Sequence, residues 1–134
     1  MGRRIRRLLV GADVYRWGAG HAHTRGQDDM GRPRLLDCRE VLTIGREGSP
    51  GRLDIVFRAG PGRLVADGLL HNGAVVRADD DAYLNLHRPG VVRALLDEAL
   101  HRGHGFDTGR AEIDGWDLLD GALERLAAAD SRAS

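Results

Sequence analysis

His21 and His23 are separated only by Ala22, and Asp28 and Asp29 follow a few residues later. Two imidazoles and a carboxylate make a donor set for a divalent metal. Residues i and i+2 of a strand share a face. His21 and His23 therefore point the same way if the strand before them continues, and Asp28 or Asp29 reaches back from the loop beyond. The same groups also suit general acid–base chemistry. Against both stands the pair Gly18 and Gly20, which in the opposing reading ends the strand and leaves both imidazoles in solvent. The candidate metal ligands are His21, His23 and Asp28, but the glycines and the missing further ligands weigh against them, so neither a bound metal nor a cofactor is expected.

Other reactive side chains read more simply. His101 and His104 bracket Gly103 at a helix end, where the dipole favours a protonated imidazole, so capping is their expected role. Cys38 sits mid-strand beside Arg39 and Glu40, with no base identifiable in sequence, and reads as packing. Ser49 lacks the strand-to-helix glycine context of a hydrolase nucleophile and reads as a turn residue. The run Asp79, Asp80, Asp81 reads as a solvated acidic loop. Gly60-Pro61-Gly62-Arg63 resembles a phosphate loop only loosely, because no helix follows it. Arg3, Arg4, Arg6 and Arg7 suit phosphate contact. The chain lacks the aromatic interleaving and overall basicity of most nucleic-acid modules, so nucleic acid is not the expected partner.

All 20 basic residues are Arg, and Lys is absent. A phosphate loop of the Walker type needs its Lys, and Schiff-base chemistry needs a Lys amine. Both classes are excluded. Net charge is zero, but residues 1–63 hold 13 Arg against 7 acids, and residues 64–134 hold 7 Arg against 13 acids. Either the halves pack together and neutralise each other, or they form faces of opposite sign. Separate faces would favour a charged protein partner or a weak homodimer. With Cys38 as its only cysteine, the chain forms no disulfide within itself, which fits a reducing compartment. The apolar run Leu8 to Ala12 is too short for a signal peptide, and no apolar stretch matches a membrane span. The sequence reads as cytoplasmic.

The elements that would position these residues follow from periodicity. Ile5–Val10 and Val14–Ala19 read as a hairpin around Gly11-Ala12-Asp13. Residues 23–34 read as an exposed polar loop. Leu35–Arg46 reads as a third strand and Arg52–Arg58 as a fourth. In the fourth, Leu53, Ile55 and Phe57 point inward and Asp54, Val56 and Arg58 outward, implying a sheet with one wet face. Leu64–Leu70 reads as a fifth strand, His71-Asn72-Gly73 as a turn, and Tyr83–Leu86 as a strand leading into a helix. Pro89 opens that helix and Gly103 closes it, with Val92, Leu95, Leu96 and Ala99 as its apolar stripe. A shorter helix spans Trp116 or Asp117 to Ala129 with Leu119, Leu123, Leu126 and Ala127 buried. Gly121 costs it about 1 kcal/mol relative to Ala and suggests fraying.

The hairpin with Val14-Tyr15-Arg16-Trp17, the Leu53–Arg58 strand and the helix begun by Pro89-Gly90-Val91-Val92-Arg93 together resemble a group of small uncharacterised bacterial proteins. The resemblance extends over about half the chain and leaves out the 23–34 loop and the extension past Gly115. It implies an α+β fold and no activity. The expected architecture is an α+β domain over residues 1–129. An antiparallel β-sheet meander is packed by one main helix (89–103) and a shorter C-terminal helix (116–129), with a disordered tail at 130–134. The expected function is a non-enzymatic protein-interaction domain, an adaptor or an immunity-type inhibitor. The alternative is a small metal-dependent or acid–base enzyme using His21, His23 and Asp28 or Asp29.

Overall fold

The computed structural model describes residues 4–65 and 72–133. Strand β1 (Arg6–Val10) turns through Gly11, whose φ of 59° suits glycine, into β2 (Asp13–Gln27). β2 pairs antiparallel with β3 (Pro33–Arg46), and β3 with β4 (Arg52–Arg58). A further strand, here β8 (Arg110–Asp114), joins β4 in parallel, giving the order β1-β2-β3-β4-β8. A second sheet holds β5 (Arg63–Val65), β6 (Ala74–Arg77) and β7 (Ala82–Asn85), all antiparallel. Helices α1 (Pro89–His101) and α2 (Gly115–Ala133) complete the α+β fold.

Alternation divides the large sheet as expected. Tyr15, Trp17, Leu42, Ile44, Leu53, Ile55 and Phe57 share one face and are buried in a core cluster with Leu95, Leu96 and Ala99 of α1 and Trp116, Leu118 and Leu119 of α2. Phe57 meets Trp116 edge-on, with ring centroids 5.3 Å apart, and the Trp116 indole N–H donates to the Arg58 carbonyl at 2.9 Å. The opposite face is only partly wet. Val41, Asp54 and Val56 on it are also buried; β3 and β4 have strands on both sides, and Arg110 pairs with Asp54.

Three sequence expectations need correction. Residues 23–34 are not a long loop. β2 runs on to Gln27 and β3 begins at Pro33, so Thr24 to Gln27 pair with Leu36 to Pro33 as a two-stranded ribbon. Backbone pairing suffices here, and the ribbon's exposure to water explains why its polar sequence reads as a loop. The meander is incomplete, because β8 is a parallel strand. It escapes pattern reading because Ile113 is its one buried side chain. α2 is not the shorter helix. It continues to Ala133, since neither Gly nor Pro interrupts residues 122–133 and Arg132 suits the last turn. Its buried stripe is Leu118, Leu119 and Ala122, while Ala127 is exposed.

Helix α1 behaves as its sequence implies. Pro89 occupies the first turn, and Val92, Leu95, Leu96 and Ala99 are wholly buried. Gly103 takes a φ of 91° and donates to the Leu100 carbonyl, while the His104 amide donates to Ala99. These backbone bonds close the helix, and His101 lies in its last turn. The expected strand to Leu70 and the turn at His71 lie largely outside the described residues, with β5 ending at Val65. Arg46–Asp107, Arg58–Glu112 and Arg110–Asp54 tie the basic half to the acidic half, so the charges interleave. Among the described residues, no helix is long and apolar enough to cross a membrane.

Candidate functional site

Two places on the large sheet gather chemistry. The first centres on Glu40. It follows the core-facing parity of Leu42 and Ile44 and is wholly buried. The register sets it opposite His21. His21 Nδ1 lies 3.1 Å from Glu40 Oε2, and the Gly73 backbone N–H donates to Oε1 at 2.6 Å. An ionised carboxylate only accepts, so the His21 Nδ1 carries the proton in this contact. The Gly73 bond also ties β3 to the turn before β6. Gly73 has a φ of 89°, and a Cβ there would meet the His87 ring at 2.5 Å. The imidazole of His87 thus lies against bare backbone.

Gly18 and Gly20 do not end β2, because both stay in its ladder with β3. His21 and His23 accordingly lie close, with ring centroids 5.4 Å apart. Asp28 does not join them. Its Oδ1 accepts from the amides of Met30 and Arg32, and its Oδ2 from Arg32 Nε at 3.0 Å. These bonds shape the ribbon's tip, and Asp29 there is exposed. Among the described residues, no group of three or more His, Cys, Asp or Glu is placed to hold a metal. Glu40 does not stand out in the sequence as a site residue. Its signal was a carboxylate at a core-facing position of an otherwise apolar strand.

Several lesser candidates resolve into turns and packing. Cys38 is half-buried against the core. Ser49 accepts a 2.8 Å hydrogen bond from Arg46 in the β3–β4 turn. Asp80 takes two bonds from Arg77 in the β6–β7 turn, with Asp81 at a φ of 56°. Gly60 and Arg63 exchange backbone bonds, so that segment enters a strand rather than a helix. Of the N-terminal arginines, Arg3 lies outside the described residues. The Arg6 guanidinium sits 5.0 Å from the Trp17 ring centroid and donates to the His87 carbonyl.

The second place is the outer face of the large sheet. The pairings Arg7↔Arg16, Arg16↔Gly45, Gly45↔Arg52 and Arg52↔Arg110 run through all five strands. They set four arginines in one row with Gly45 at its middle. The neighbouring row is Gly18, Thr43, Asp54 and Glu112. Arg16, Gly18, Thr43, Gly45, Arg52 and Arg110 line a groove of about 560 Å³. Asp54, buried in the neighbouring row, accepts from Thr43 Oγ1 at 2.8 Å, and Arg110 pairs with its other oxygen. Burial pushes the Asp54 carboxyl up. The bonds from Arg110 and Thr43 and the nearby charge of Arg110 and Arg52 outweigh this and hold it below its ordinary value.

Compared with protein-family models, curated proteins and solved structures, the chain matches none.

Proposed function

We propose that this chain is a non-enzymatic protein-interaction domain, of adaptor or inhibitor type, whose reading element is the β2–β3 ribbon. The observation that supports this is the ribbon's surface. From Thr24 and Leu36 outward, its strands pair, among the described residues, only with each other, yet Met30, Leu35 and Leu36 are exposed on it, Met30 at 78%. Such apolar side chains on a projecting hairpin suit an interface. Arg25, Pro33, Arg34 and Leu35 frame a shallow hollow of about 260 Å³. Arginine and apolar groups in alternation fit a partner with an apolar side chain flanked by carboxylates.

An affinity capture from the native cell tests the reading, with a Leu35→Asp/Arg34→Glu variant run beside the wild type. The expected result is a protein retained by the wild type and lost with the variant, and hydrogen-exchange protection on residues 23–36 in the complex. A protein captured equally by both would reject the ribbon as the reading element.

One observation favours a second reading. The Glu40–His21 pair is the arrangement that orients an imidazole as a general base. An acid–base activity would then depend on His21, and a screen of hydrolase and isomerase substrates against wild type and His21→Ala tests it.

A further inference from the structure

The arginine row on the outer sheet face has a charge excess that the fold does not use. Arg7 and Arg16 share one carboxylate, Glu47, at 3.6 and 3.0 Å. Arg110 takes Asp54. Arg52 has no hydrogen-bonding acceptor among the described residues and acts on Asp54 only through space. Four guanidinium groups thus face Glu47, which itself lines the groove, and Asp54, while Glu112 of the neighbouring row acts on Arg110 through space and is paired with Arg58.

Strand spacing sets what could bind there. Neighbouring strands lie about 4.8 Å apart, so Arg16 and Arg52, with Gly45 between them, stand roughly 10 Å apart at the backbone. Two arginine side chains spanning that gap can converge above it. Among the described residues the space over Gly45 is open, since a Cβ there would find only the Gly51 carbonyl oxygen, at 4.0 Å. The planar guanidinium binds phosphate by paired parallel hydrogen bonds, and the groove volume is of the size that takes small ligands. A second hollow of about 600 Å³ beside Arg58, Arg77 and Trp116 differs in this respect. There Arg58 is paired with Glu112 and Asp37, Arg77 with Asp80 and Asp120, and the Arg63 guanidinium lies over the Trp116 ring.

We propose that the groove over Gly45 binds a small phosphate-bearing molecule, with the phosphate held between Arg16 and Arg52. This site is separate from the ribbon and stands whether or not the ribbon reads a protein.

Titration of inorganic pyrophosphate into the full chain, followed by calorimetry in low salt, tests the proposal. Saturable one-to-one binding is expected, weakened at least about tenfold by Arg52→Gln, since one charge-assisted contact is lost. Gly45→Val leaves every arginine in place and fills the gap, and Gly45 has no positive φ to forbid it. That variant should keep its melting temperature and lose binding. Arg88→Gln, at the start of α1, should bind as the wild type does. Absence of saturable binding overturns the proposal, as does a folded Gly45→Val variant that binds normally. If Gly45→Val fails to fold, Arg52→Gln decides alone. A thymidine oligonucleotide bound more tightly than pyrophosphate, and through Arg52, also overturns the small-molecule assignment and gives the face to nucleic acid.

Discussion

Gly121 of α2 lies against the carboxylate of Glu98 in α1, and a Cβ at position 121 would overlap it. Glu98 is nearly buried and is held there by Arg102 at 2.8 Å and Arg125 at 3.2 Å. By helix propensity alone, Gly121→Ala gains about 1 kcal/mol. In this fold it should instead lower stability by about 1 kcal/mol, because the pinned carboxylate must leave its partners. In a Glu98→Ala background, which carries its own cost, Gly121→Ala should no longer destabilise. A urea-denaturation cycle over the four proteins checks it, and additive changes would contradict the coupling.

The same residue shows what sequence reading could and could not supply. Gly121 reads as a weak point when α2 is considered alone, and becomes a packing position only when α1 is placed beside it. Strands β3 and β4 and the Pro89 helix are legible because each has a buried face with a regular period. The β2–β3 ribbon and β8 are not, because their pairing is mainly backbone and their side chains face water. In the candidate site, His21 and His23 stand out as residue types. Their partner Glu40 does not, since the register of two strands decides which carboxylate reaches an imidazole. The arginine row is hidden for the same reason: Arg16, Arg52 and Arg110 are far apart in sequence and meet only through pairing across the sheet.

Leu96 is wholly buried in the core cluster shared by α1 and β4. Leu96→Ala should cost about 2–5 kcal/mol, read as a lower urea midpoint with an unchanged slope. Leu35→Ala on the exposed ribbon should change stability by less than about 0.5 kcal/mol. Equal effects at the two sites would mean that the ribbon is packed rather than projecting.

Acid should unfold this protein through Asp54 and Glu98. The hydrogen bond from Arg102 is the main influence on Glu98; burial opposes it, Arg125 adds to it, and the carboxyl sits below its ordinary value. Asp54 is also lowered. A carboxyl whose folded pKa is depressed contributes stability that is fully present above its unfolded value and is lost as pH falls through the folded one. Unfolded carboxyls titrate near about 4. The urea midpoint from these two groups should therefore hold steady from neutral pH down to about pH 5 and fall below it. Asp54→Asn and Glu98→Gln should each lower the neutral-pH midpoint and flatten the acid limb. An unchanged limb in both variants would show that other carboxyls govern acid unfolding.

Glu40 accepts from two donors on different elements, the His21 ring and the Gly73 amide, with no exposed surface of its own. Removing the acceptor leaves both donors behind. Each buried donor without a partner costs about 1–3 kcal/mol, so Glu40→Ala should destabilise the fold by about 2–4 kcal/mol. His21→Ala should cost markedly less. The His21 side chain is 18% exposed, so water can take its place at the Glu40 oxygen, whereas the Gly73 amide is held in the turn by the Leu86–Gly73 backbone bond. Hydrogen exchange separates the two roles of Glu40. If its main work is to tie β3 to the second sheet, the Gly73 amide should lose protection in Glu40→Ala and keep it in His21→Ala. Protection lost equally in both would place the imidazole, rather than the carboxylate, at the centre of the tie.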